Sequence, residues 1–429
     1  MTPFALGMVG MGLMLVLLFL RQPVWLALGL IGIGGNWALN SLFAAQYQAG
    51  TTLFDVGSNY NLAVIPLFIL MGEVASGSRM SAELFSAARV MLSGLRGGLA
   101  VASLAASGAF GAICGSSVAT AASMTRIAMP EMDRAGYGGG YAAASVAAGG
   151  SLGILIPPSI ILVIYGSISE TSVARLFAAS MIPGIVLMVL YIVVALIMSG
   201  HAPKDAPATF GDRLRALRGP WQFLILFIVT IGGIYSGLFS PNEAASIGAA
   251  GAILLGFLRR SLTVATLITA VRSSVMVSCA LFMIIIGATL FSTFVVQTRL
   301  PDGLLSAAQA ANLSPAMVMG LIILIYVVLG CFLEGLGMVL ITVPVFLPVV
   351  TGYGFDPIWF GVLVAVLVEL GLITPPVGMN LFIIRAQVPG ISMSDIYRGI
   401  LPFLAAPIAL IGLMFLWPSM ALWLPGVLY

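Results

Sequence analysis

The chain has 429 residues, 61% of them hydrophobic and only 7% charged, with a mean hydropathy of +1.15. Soluble domains carry roughly 25% charged residues, so this composition cannot dress a water-facing surface and implies a polytopic membrane protein. The net charge of +3 comes from dispersed arginines without interleaved aromatics, which argues against a nucleic-acid surface.

Apolar stretches fall at 4–20, 23–43, 61–77, 97–129, 139–166, 173–199, 221–240, 243–258, 278–298, 315–351, 357–388 and 394–418. The first lacks a basic leader and a small-residue cleavage site before Arg21, so it reads as a retained span. Two stretches, 97–129 and 315–351, are too long for one crossing. Each has a Gly-rich middle: Ala112-Ile-Cys-Gly115-Ser-Ser117 in the first and Glu334-Gly335-Leu-Gly337 in the second. Both are expected to be re-entrant helical hairpins. With that topology, all but Arg175 and Arg299 of the 17 Lys and Arg fall on one side, as the positive-inside rule requires.

Each half then holds five crossings and one hairpin, and an odd number of crossings inverts the second half relative to the first. The first repeat is expected over 1–200, a cytoplasmic linker over 201–220 and the second repeat over 221–429. Both termini lie outside, the hairpin at 97–129 enters from the cytoplasm, and the one at 315–351 enters from the opposite face. The linker is the only long polar stretch and holds Lys204, Asp205 and the basic run Arg213 to Arg218. Amphipathic stretches at Ser81–Gly94 and Ser261–Ser274 are expected to lie on the cytoplasmic surface as a matched pair of arms.

The halves also repeat in sequence. Leu152-Gly-Ile-Leu-Ile-Pro157-Pro158 recurs as Leu370-Gly-Leu-Ile-Thr-Pro375-Pro376, an offset of 371 − 153 = 218. Pro130 and Pro348 share that offset, as do Pro23 and Pro241. Broken helices in corresponding places of two halves point to a transported-ligand site. Proline removes a backbone donor and frees carbonyls about one turn upstream, and such backbone is tolerated at membrane depth only inside protein or around a wet cavity.

The broken helices are 139–166 and 357–388, and the candidate residues gather at them and at the hairpin tips. Gly149, Gly150 and Gly153 precede the first Pro-Pro pair, and Gly371 and Thr374 precede the second. Ser116, Ser117 and Thr120 bring three hydroxyls to the first tip. Glu334 and Glu369 are acids in apolar segments, where a carboxylate is costly and usually functional. Asn380 is a polar group just past the second break, and Glu73 is read as an interfacial anchor for Arg79. The three cysteines have no metal-ligand spacing. No nucleotide-binding Gly-Lys-Ser/Thr loop occurs. The sole histidine, His201, sits in the linker, which leaves no dyad for an intramembrane enzyme.

The chain resembles the large membrane subunit of the tripartite ATP-independent periplasmic (TRAP) transporters. The resemblance rests on Pro66-Leu-Phe-Ile-Leu-Met-Gly-Glu73, Gly115-Ser-Ser-Val-Ala-Thr120, Leu152 through Ser159, Gly237-Leu-Phe-Ser-Pro-Asn-Glu-Ala-Ala245, Gly330-Cys-Phe-Leu-Glu334 and Glu369 through Phe382. It implies an all-α, ion-transporter-like fold of two inverted repeats. It further implies an elevator mechanism driven by sodium, no other metal and no cofactor, in the bacterial inner membrane with both termini periplasmic. The implied partners are a separate small four-helix membrane subunit and a periplasmic binding protein that delivers a small organic anion. The implied sodium ligands are Gly115, Ser116, Ser117, Gly149 and Gly150 at one site and Gly335, Gly337, Gly371 and Thr374 at the other. Substrate would lie near Ser117, Thr120, Pro157 and Asn380. The family often carries a hydroxyl or a Thr-Ser pair where this chain has Ala148-Gly149-Gly150, so coordination there would fall to carbonyls. A standalone sodium- or proton-coupled dicarboxylate or anion carrier is the alternative within the same class.

Overall fold

The computed structural model describes residues 2–204 and 206–429, with the side chain of His201 outside the description. The architecture is all-helical, and among the described residues the only β-type pairing is an isolated bridge between Arg96 and Lys204. Of the linker expected at 201–220, Asp205 lies outside the described residues.

The chain opens with α1 (Pro3–Phe19), α2 (Val24–Leu39) and α3 (Leu42–Ser58), where the Thr2 and Ser41 hydroxyls cap α1 and α3. Next come α4 (Val64–Gly77) and the amphipathic α5 (Met80–Met91). The stretch at 97–129 becomes two helices, α6 (Gly98–Cys114) and α7 (Ser117–Arg134), that pack on each other and are joined only by Gly115 and Ser116. The first broken helix is α8 (Gly139–Ser151) followed by α9 (Ile160–Ile168), and α10 (Val173–Met198) succeeds it. A short linker helix, α11 (Phe210–Ala216), precedes α12 (Trp221–Phe227), a π-turn over Ile228–Gly232, and α13 (Gly233–Tyr235).

Then follow α14 (Pro241–Leu258), α15 (Val264–Gln297) and α16 (Leu300–Ala310). The second hairpin is α17 (Pro315–Gly330) and α18 (Gly335–Gly352), and the second broken helix is α19 (Pro357–Ile373) and α20 (Met379–Gln387). The chain closes with α21 (Met393–Ile400), α22 (Ala405–Leu416) and α23 (Ser419–Leu428). Six helical segments among the described residues are long and apolar enough to cross a bilayer, seven if the bent pair Phe210–Ala216 and Trp221–Tyr235 is one span.

Two expectations need correction. Ser261–Ser274 is not a separate surface arm. It runs into the following span as the single 34-residue α15, which starts at a Thr263–Thr266 capping box, contains no proline and continues through Gly287 to Gln297. At 1.5 Å per residue α15 is about 51 Å long, well beyond a ~30 Å hydrocarbon layer. The helix standing just before the second hairpin, as α5 stands before the first, is α16. The amphipathic α3 was not anticipated at all.

Glycines set the closest helix contacts. A Cβ on Gly32 of α2 would come within 2.5 Å of the Leu290 carbonyl carbon in α15, and one on Gly287 within 2.6 Å of the Trp25 oxygen. Small residues here let the two backbones touch. α2, α4, α14 and α15 pack into one group, while α6–α10 pack with α17, α19, α21 and α22 in another. Between them, α5 is tied at both ends. Arg259, at the C-cap of α14, donates to both Glu83 carboxylate oxygens at 3.1 Å, and Arg89 pairs with Glu131 of α7 at 2.5 Å.

Candidate functional site at the hairpin tips

The two hairpin tips and the two helix breaks meet at one cavity of about 90 Å³. Of the sequence-predicted residues, Gly115, Ser116, Ser117, Glu334 and Gly335 line it, together with Ile160, Leu372 and Met379. Four helices begin at this cavity: α7 at Ser117, α9 at Ile160, α18 at Gly335 and α20 at Met379. Each N-terminus carries roughly half a positive charge and unpaired amides. The Ser116 hydroxyl accepts from the Ala119 amide at 3.4 Å and Ser159 accepts from Leu162 at 3.3 Å, so α7 and α9 are capped. Neither α18 nor α20 has a side-chain cap, and their first amides stay available. Convergent helix N-termini are a place for an anion, while the Glu334 carboxylate and the free hydroxyl edges suit a cation.

Chain geometry explains why the tip can sit there. Gly115 turns the hairpin in the left-handed region, at φ +64°, and its carbonyl accepts from the Ile160 amide at 3.4 Å. A Cβ on Gly115 would come within 2.8 Å of the Pro158 oxygen. Both Pro-Pro pairs are cis. The incoming helix of each hairpin meets the neighbouring break through a glycine pair, Gly111 against Gly153 and Gly330 against Gly371. Added Cβ atoms on Gly111 and Gly371 would stand 2.6 Å and 2.8 Å from the opposing Cα.

The remaining predicted residues stand around the cavity rather than in its lining. Gly149 abuts Ser107 and Gly150 abuts Ala121, so both serve close approach between α8 and the first hairpin. Gly337 faces Val24 of α2, across to the other helix group. The Thr374 hydroxyl donates to the Leu370 carbonyl at 2.5 Å. Pro157 is buried in the first break. Thr120 of α7 and Asn380 of α20 lie on helices that pack together, and both are fully buried with side-chain polar atoms that have no partner. Glu369 is fully buried and neither carboxylate oxygen has a partner. Ser151 stands beside it, but its hydroxyl donates to the Ala148 carbonyl at 2.8 Å and lies 3.3 Å from the Tyr191 hydroxyl. Orphaned polar atoms in a packed interior call for an occupant or a role.

Some members of this region were missed in the sequence. Ser103 and Ser107, one turn apart on α6, are buried with unpaired hydroxyls, and Tyr191 joins Ser151 from α10. The serine pair at i, i+4 was a readable signal; Tyr191 left none, because its neighbour comes from a distant helix.

A fold of packed helices interrupted at paired breaks is that of multi-pass membrane transporters. The Alcanivorax borkumensis YdaH transporter has a similar structure, with a TM-score of 0.60 and 16% identity over 96% of this chain and 98% of that one. Neisseria gonorrhoeae MtrF, described as an antimetabolite efflux pump, gives 0.59 and 14% over 87% and 84%. Residues 11–420 match the family described as the tripartite ATP-independent periplasmic transporter, DctM component, and the chain belongs to that family. Its relatives include the C4-dicarboxylate TRAP transporter large permease DctM of Pseudomonas aeruginosa, 34% identical over 87% of this chain and 88% of that protein. The sialic acid TRAP large permease SiaM of Vibrio cholerae is 30% identical over 95% and 96%, and the ectoine/5-hydroxyectoine large permease UehC of Ruegeria pomeroyi is 30% identical over 96% of each. This chain is thus a TRAP transporter large permease, a class of transporter rather than of enzyme.

Proposed function

We propose that this permease imports a small organic anion together with sodium across the bacterial inner membrane. The solute is delivered by a periplasmic binding protein, and a small four-helix subunit completes the membrane complex. The observation that carries this reading is the convergence of four helix N-termini, with Glu334, on one cavity. Permeases named for C4-dicarboxylates, sialic acid and ectoines are among its relatives, and a carboxylate is the group those solutes share.

Sodium would bind at Gly115, Ser116, Ser117, Gly149 and Gly150 in the first half and at Gly335, Gly337, Gly371 and Thr374 in the second. The solute would bind near Ser117, Thr120, Pro157 and Asn380. The chain's own contribution is to hold uncapped amides and freed carbonyls where water is excluded, and to keep Glu369 poised behind the tips.

The proposed movement is an elevator: the hairpins and broken helices slide as a block, α5 being the strap to α14. A repeat in the order of the helices supports it. The offset of 218 carries α7 (117–134) to 335–352, the span of α18, and α9 (160–168) to 378–386 against α20 at 379–387. It carries α5 (80–91) to 298–309 against α16 at 300–310.

Uptake into proteoliposomes containing this chain and its small subunit tests the reading. Labelled solute should enter only with both an inward sodium gradient and the binding protein. Uptake that ignores the binding protein would make the chain a standalone carrier, and uptake that ignores sodium would remove the coupling.

A further inference from the structure

A cavity of about 1440 Å³ lies away from the tips, between α7, the start of α8, the end of α20 and α21. Its charged lining is Arg126 and Asp133 from α7 and Asp395 and Arg398 from α21. One of the two acids is already engaged. Asp395 is engaged at the start of α21, accepting from the Ser392 hydroxyl at 2.7 Å while its amide donates back to that serine at 3.1 Å. Arg126 and Arg398 are exposed to the cavity and have no hydrogen bond or ion pair among the described residues. Arg89 and Arg134, by contrast, both bind Glu131.

The cavity is placed in line with the tips. α7 and α20 both begin at the tip cavity and both run into this one. Thr125 is 125 − 117 = 8 residues along α7, and Gln387 is 387 − 379 = 8 along α20. Eight residues of helix span about 12 Å, so the near end of this cavity, at Thr125 and Gln387, stands roughly two turns from the tips, on the side that the arginine distribution assigns to the cytoplasm.

We propose that this cavity is an exit vestibule in which Arg126 and Arg398 hold the carboxylate of the solute after it leaves the tips. The inference rests on the import reading and adds a second anion site to it. Guanidinium groups grip a carboxylate through paired, charge-assisted hydrogen bonds. Two of them, from different helices lining one cavity, can hold an anion briefly without trapping it. Asp133 and Asp395 balance the two arginines in formal charge and keep the site weak, which suits release.

Thermal denaturation of the detergent-solubilised complex in sodium-free buffer tests this, with succinate, N-acetylneuraminate and inorganic phosphate as probes. Wild type and Ser116→Ala/Ser117→Ala should melt roughly 2 °C higher at about ten times the dissociation constant of a carboxylate probe. Arg126→Gln/Arg398→Gln should lose that shift, and Arg126→Lys/Arg398→Lys should keep part of it, which separates charge from folding. A shift that survives the Gln variant, or no shift in wild type up to about 50 mM probe, overturns the vestibule. An equal shift with phosphate assigns the arginines to cytosolic oxyanions at large and overturns the exit role. Wild-type uptake is read separately: uptake without the melting shift overturns the vestibule alone, whereas a shift without uptake overturns the import reading.

Discussion

Substituting Gly371 by Ala probes the seam that positions the second tip. The new Cβ would lie 2.8 Å from the Gly330 Cα, 3.2 Å from its carbonyl carbon and 3.3 Å from its oxygen. Non-bonded carbons prefer about 3.5–4.0 Å, so α17 and α19 must part by roughly 1 Å there. Both partners are backbone, and no flexible side chain can give way instead. Overpacking of this kind costs about 1–3 kcal/mol. It also displaces the tip residues Glu334 and Gly335, which lie four and five residues beyond Gly330 in the chain. Gly320, on the same α17, has nothing within 4 Å of its would-be Cβ. Gly320→Ala should therefore be neutral, or stabilise by up to about 1 kcal/mol through helix propensity. Melting of the purified complex and sodium-dependent uptake should both fall for Gly371→Ala and hold for Gly320→Ala. In Gly330→Ala/Gly371→Ala the two Cβ atoms would face each other, and the loss should exceed the sum of the single variants. Wild-type melting and uptake in Gly371→Ala, or equal damage from Gly320→Ala, would refute the seam argument.

The other outcomes concern charge. Glu369 is buried with neither oxygen paired, so Glu369→Gln should leave melting unchanged or raise it while uptake falls at least tenfold; full uptake in that variant would make the residue a structural relic. In the linker, the Thr209 hydroxyl and then its amide hold the Asp212 carboxyl below its ordinary 3.8. A carboxyl depressed in the folded state stabilises α11 above the unfolded value and loses that contribution as pH falls through the folded one. Amide protection over 209–216 should therefore weaken below about pH 3.8, and a pH response that persists in Asp212→Asn would show another group to be responsible.

The tips were legible because a run of 97–129 or 315–351 is too long for one span, and a glycine with neighbouring polar residues marks where it folds back. The breaks were legible because a Pro-Pro pair leaves helix nowhere to continue. What escaped has equally physical causes. The sequence of α3, with Gln46, Gln48, Thr51 and Asp55, is too polar for a hydropathy search, and only Ala45, Thr52 and Val56 are buried. The stretch at 261–274 resembles α5 in amphipathic pattern but not in repeat position. The offset of 218 applied to α5 leads instead to α16. The glycine seams were invisible for a different reason. Gly111, Gly330 and Gly371 are three among 50 glycines, and nothing local separates those that touch a backbone from those facing open space.

Charge balance at the tips carries the argument one step past geometry. Four helix N-termini at about half a charge each give roughly +2, and no Lys or Arg lines the cavity. An ionised Glu334 would remove about one unit, and a bound monocarboxylate would remove the other. On the import reading, a monocarboxylate therefore reaches neutrality with the helix ends and Glu334 together, and each coupled sodium adds net positive charge to the moving block. A dicarboxylate carries one more negative charge into the same cavity and needs one further cation to be held equally well. Reversal potentials measured with succinate and with a monocarboxylate, each delivered by its own binding protein, should differ by about one sodium per solute. Identical stoichiometry for the two would mean that the second carboxylate stays outside the cavity, in water, where the helix ends contribute little to its binding.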